Sequence, residues 1–128
     1  MKSEYKTIKV SSFREFDKLI AKYLFDWSDF WEPNNNNPHN CLYGMSPLER
    51  LAGIEGERSE VWHFTSDIKA AWEIVYLFKT IEIKKIETYF NCYITVDNID
   101  YCSCLQKTPE LAICLAAMRT KKINVEFN

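Results

Sequence analysis

Two sets of residues in this 128-residue chain are of types that do chemistry, and the first is the thiols and imidazoles. Cys102 and Cys104 stand two apart, so on a strand they share a face, and with His39-Asn40-Cys41 they could supply four zinc ligands. Structural zinc sites favour a spacing of two to four between paired cysteines, so buried packing as small hydrophobes is the better reading for most of Cys41, Cys92, Cys102, Cys104 and Cys114. Their odd number and the absence of a C-x-x-C pair argue against a disulfide framework and for a reducing compartment. A cysteine nucleophile needs a base, and only His39 and His63 are histidines.

The second set is aromatic and basic. Trp27, Trp31 and Trp62 flank a segment holding Tyr43, Arg50 and Arg58, with His63 beside it. Indoles with guanidinium groups in a loop-rich region suit stacking on a nucleobase and neutralising a phosphate. Tryptophan at helix ends equally serves to fasten loops to a core. Thr65-Ser66-Asp67 leaves backbone N–H groups at a helix start, where anions bind, although capping alone accounts for every residue in it. Tyr89 and Tyr93 share one strand face, and Arg119 closes the last helix ahead of Lys121-Lys122, where cations suit the helix dipole. The candidate ligand-binding set is therefore Trp31, Arg50, Arg58, Trp62, His63, Thr65, Ser66, Tyr89, Tyr93 and Arg119. No G-x-S-x-G, H-E-x-x-H, P-loop or Gly-rich dinucleotide turn occurs among only 3 glycines, so the expectation is a non-enzyme without cofactor or metal.

The elements that must position these residues follow from periodicity. Tyr5 to Val10 alternates as an edge strand. Phe13, Phe16, Leu19, Ile20, Tyr23, Leu24 and Trp27 recur at offsets of three and four, and Ser12 with Glu15 forms a capping box before them. Asp29 to Asn40 reads as a loop, Ser46-Pro47-Leu48-Glu49 starts a two-turn helix, and Asp29 to Glu60 together form an excursion of loop and short helix. A second long helix is expected over Ile68 to Lys79, with Ile68, Ala71, Trp72, Val75 and Phe78 as its apolar stripe, Trp72 in the core, and cover on more than one side. Ile81 to Gln106 reads as an antiparallel meander turning at Asp97-Asn98. Thr108-Pro109-Glu110 opens a last helix running to Arg119, and Val125 with Phe127 suggests a final edge strand.

Three stretches resemble the phage "ABA sandwich" domain family of small phage and prophage proteins. They are the opening helix from Ser12 to Trp27, the His63-Phe64-Thr65-Ser66-Asp67 cap leading into Ala70-Ala71-Trp72-Glu73, and Thr108 to Ala117. The resemblance implies an α+β fold in which a small antiparallel β-sheet of about three to four strands packs with helices in an α/β/α-type sandwich. Two departures stand out: the family usually places Arg where Leu115 stands, and the excursion is longer than its usual connection.

Composition supports one domain, residues 1–128. The chain is 47% hydrophobic with 4 Trp, 7 Tyr and 8 Phe, and its 16 Lys and Arg against 18 Asp and Glu give a charge of -2. No global basic field exists for long nucleic acid or an anionic membrane. No leader and no run of ~18 apolar residues is present, so a cytoplasmic location in the host cell is expected. The first functional expectation is a phage-encoded accessory protein that sequesters a small anionic ligand, a cyclic or signalling nucleotide of the host, as counter-defence. The second is a protein-interaction module that blocks or recruits a host protein through the Trp-rich excursion. By analogy with phage proteins that sequester nucleotides, a homo-oligomer is expected.

Overall fold

The computed structural model describes residues 5–32, 41–52 and 58–128. Helix α1 (Phe13–Leu24) opens at Ser12, whose Oγ accepts the Glu15 N–H at 3.2 Å. The returning half of the capping box lands one residue early, the Glu15 carboxylate accepting both the N–H and the hydroxyl of Ser11. Strand β1 (Lys6–Val10) precedes it and pairs in parallel with the last strand, β8 (Ile123–Phe127), from Lys6↔Ile123 to Val10↔Phe127. The two edge strands read from the sequence are thus partners of each other.

A meander of β5 (Thr80–Ile86), β6 (Tyr89–Val96) and β7 (Ile99–Cys102) forms the main antiparallel sheet, with Ile83 opposite Cys92 and Ile94 opposite Tyr101. Asp97 and Asn98 both hold positive φ, 52° and 64°, which suits the two-residue turn joining right-twisted strands. Beyond β7 the strand returns to pair Phe90 with Gln106, as the sequence reading extended it.

Helix α4 (Pro109–Arg119) is the centre of the molecule. Thr108 caps it by accepting the Leu111 N–H, Pro109 stands in its first turn, and Ala112, Ile113, Cys114, Ala116, Ala117 and Met118 are all buried. It packs against the meander, β8, α1 and α3 (Ile68–Val75). The helix covered on every side is therefore α4, where the sequence suggested α3.

Helix α3 also differs from expectation in extent and facing. It stops at Val75 because Leu77 and Phe78 donate to carbonyls three residues back, tightening the end of the helix. Its buried residues are Ala70, Ala71 and Ile74, while Trp72 is 42% exposed. Small residues on both helices, Ala70 and Ala71 facing an α4 rich in alanine, permit close approach, and the wide indole of Trp72 is left outside it.

The described residues of the excursion carry three short strands besides the short helix expected there. Strand β2 (Ser28–Trp31) pairs with β3 (Tyr43–Met45), which pairs with β4 (Ser59–Glu60), and helix α2 (Pro47–Ala52) lies between the last two. Aromatic residues hold the described strands together: Trp31 lies against Tyr43 with ring centroids 5.6 Å apart, and Phe30 and Trp27 close over Gly44. The Asn34–Asn37 tract, His39, Asn40 and the Gly53 stop fall outside the described residues. Among the described residues no helix is long and apolar enough to cross a membrane.

Candidate functional site

Asp17 falls on the buried arc of α1 with Phe16, Ile20 and Ala21, and it needs partners there. Its Oδ1 accepts both the N–H and the hydroxyl of Thr65, each at 2.9 Å, and its Oδ2 accepts Arg14 Nη1 at 2.8 Å. Arg14 extends the network, donating to the carbonyls of Val61 at 2.9 Å and Trp62 at 3.3 Å. The segment from Val61 to Thr65 is thereby held to α1 by hydrogen bonds to Arg14 and Asp17, which are themselves an ion pair within the helix.

This latch fixes Trp62. Its indole meets Phe25, Trp27 and Phe64 at centroid distances of 5.8–6.4 Å, and the residue stays 45% exposed. Beside it opens a cleft of about 340 Å³ between the latched segment and the first turns of α3. Glu60, His63, Asp67, Lys69 and Glu73 supply its polar lining. His63 Nε2 lies 3.7 Å from Glu60 Oε2, and Asp67 caps α3 by accepting the Lys69 N–H at 2.9 Å. Three carboxylates against one ammonium and one imidazole make an electronegative lining beside an indole, which suits an ammonium or guanidinium group better than a phosphate.

The residues expected to bind a ligand are only partly brought together. Trp62 and His63 line this cleft, and Ser66 is exposed in the turn that follows, its N–H bonded to the His63 carbonyl. Thr65 is buried, and the anion at this helix approach is the protein's own Asp17 carboxylate. Arg50 pairs with Asp26 at 2.8 Å and donates to Ser28 Oγ, and Arg58 Nε donates to the Asp29 carbonyl at 2.7 Å. Arg119, the last residue of α4, lies over the Tyr5 ring at 4.5 Å and is bonded to Asn124. None of these three arginines lines the cleft. Trp31 is half exposed on Tyr43. Tyr89 and Tyr93 occupy the meander, where Tyr93 OH accepts from Asn91 at 3.0 Å and Lys84 sits over its ring.

The cysteines divide by environment. Burial pushes the Cys92 thiol up to about 12 and the Cys114 thiol well above its ordinary range. Cys102 Sγ bonds Asn91 Oδ1 at 3.1 Å and accepts the Cys104 N–H at 3.2 Å. Among the described residues no three His, Cys, Asp or Glu side chains gather as a metal site.

Sequence reasoning missed Arg14 and Asp17. A signal was present: Asp17 stands beside Phe16 and three before Ile20, inside the apolar stripe, where a carboxylate must be paired. It also left unassembled the carboxylates Glu60, Asp67 and Glu73, which come from three separate local contexts.

A central helix between a small sheet and further helices makes the chain a small α+β protein. A phage protein from Bacillus cereus ATCC 14579, known from a 2.0 Å crystal structure, shares the fold with a TM-score of 0.67 over 95% of this chain and 98% of that one, at 16% identity. The Phage ABA sandwich domain model matches residues 18–118, and the chain belongs to that family. No protein of curated function matches it.

Proposed function

We propose that this phage protein is a protein-interaction module that blocks or recruits a host protein through the surface around its Trp-rich excursion. One observation carries the reading: the indoles of Trp31 and Trp62 are half exposed while Arg50, Arg58 and Arg119 are each engaged within the fold and apart from the cleft. A site for an anionic nucleotide would bring guanidinium groups together in a concavity. A protein interface instead uses aromatic anchors with a polar rim, and the carboxylates at Trp62 fit a partner side chain that is cationic.

Affinity capture from a host lysate tests it, comparing the native chain with Trp62→Ala, Arg58→Glu and Arg119→Glu. A protein held by the native chain and both arginine variants but lost with Trp62→Ala supports the reading. Retention that follows the arginines, or that delivers a nucleotide and no protein, overturns it in favour of sequestration.

A further inference from the structure

Helix α2 is amphipathic in the wrong direction for a helix that only packs on its own domain. Its charged residues face the body: Glu49 accepts the Ser46 N–H and the Ser59 hydroxyl, both at 2.9 Å, and Arg50 donates to Asp26 and Ser28. Its leucines face water, Leu48 being 78% and Leu51 85% exposed. A surface helix ordinarily turns its apolar stripe inward. Here the polar tethers hold the helix so that the leucines, three positions apart and hence on one face, stand outward together.

We propose that α2 is a docking helix whose Leu48 and Leu51 enter an apolar groove with a basic rim on a partner protein. This rests on the protein-recognition reading above and names the partner's chemistry. Helix-in-groove recognition uses apolar anchors at this spacing. Two leucines offer roughly 200 Å² of apolar surface, well short of the ~800 Å² per partner that a stable interface needs, so α2 alone does not support self-association. A groove that wraps the helix and meets its surroundings supplies the remainder. Those surroundings are acidic: Asp26 and Arg50 neutralise each other, and the exposed Asp29, Glu32 and Glu60 on the small sheet and its approaches outnumber Arg58, whose partner is the Asp29 carbonyl. The same charge opposes an anionic bilayer.

The test places a photoreactive p-benzoylphenylalanine at position 48 of the full chain and irradiates it in the infected host. The expected product is a crosslink to one other protein, at a peptide lining an apolar groove beside Lys or Arg, with a yield that falls about tenfold when Leu51→Ser is added. Thermal unfolding of Leu48→Ser/Leu51→Ser should match the native chain, since both side chains are in water. A crosslink to a second copy, a crosslink to lipid, no crosslink, or a yield indifferent to Leu51→Ser overturns the proposal. A partner retained through Trp62 yet never crosslinked from position 48 removes the docking helix and leaves the protein-recognition reading standing; loss of every protein partner removes both.

Discussion

Thr65 gives its backbone N–H and its hydroxyl to the same oxygen of Asp17, both at 2.9 Å, across 48 positions of sequence. With Arg14 on the other carboxylate oxygen, this contact sets where Trp62 stands relative to α1 and α3. The placement of Trp62 therefore depends on a buried polar network.

Removing the carboxylate should expose that dependence. Asp17→Ala leaves the Arg14 charge and both Thr65 donors without their buried acceptor, a loss of about 3 to 5 kcal/mol. Chemical denaturation should show the midpoint falling with little change in slope. A variant as stable as the native chain would mean the latch is dispensable.

Gly44 tests the small sheet of the excursion. A methyl group there would meet Phe30 Cδ1 at 2.9 Å and Trp27 Cε3 at 3.0 Å. Gly44→Ala should cost about 1 to 3 kcal/mol by overpacking, read as a lower thermal midpoint. An unchanged midpoint would show that the aromatic pair yields freely.

The tether of α2 should respond to acid. The Ser46 N–H, followed by the hydroxyl of Ser59, holds the Glu49 carboxyl below the ordinary glutamate range. A lowered value in the folded state means the cap contributes fully above the ordinary glutamate range and is lost as pH falls through the lowered one. Carboxyl-detected NMR should find Glu49 titrating below the other glutamates, and Ser46→Pro, which lacks the N–H, should bring it back up. Glu49 titrating with the others in the native chain would refute the tether.

Thiol reactivity should sort by burial. At pH 8 the buried Cys92 and Cys114 remain protonated, the Cys92 thiol being pushed up to about 12, while Cys104 is exposed. Timed alkylation with peptide mapping should label Cys104 first and reach Cys92 and Cys114 only on unfolding. Early labelling of Cys114 would contradict the packing around α4.

Local pattern was legible where the residue at a position served its own element. The caps at Ser12, Ser46 and Thr108, the meander, the turn at Asp97-Asn98 and the two edge strands all follow from short-range chemistry. The facing of α3 did not, because a stripe drawn through Ile68 and Trp72 treats large apolar residues as core, whereas close helix approach selected Ala70 and Ala71. The site was only partly legible for a related reason. Trp62 and His63 stood out as residue types, but Arg50, Arg58 and Arg119 acquire their meaning from Asp26, the Asp29 carbonyl and Tyr5, contacts that no spacing encodes.

Under the proposed function this protein would be recovered with another protein and without a nucleotide. The most direct test recovers the native chain from infected host cells under mild conditions, then heats it and identifies by mass spectrometry everything released. The expected release is a host protein in stoichiometric amount, absent from the Trp62→Ala recovery, with no nucleotide. An unmodified nucleotide released on heating, with no protein partner, would contradict it.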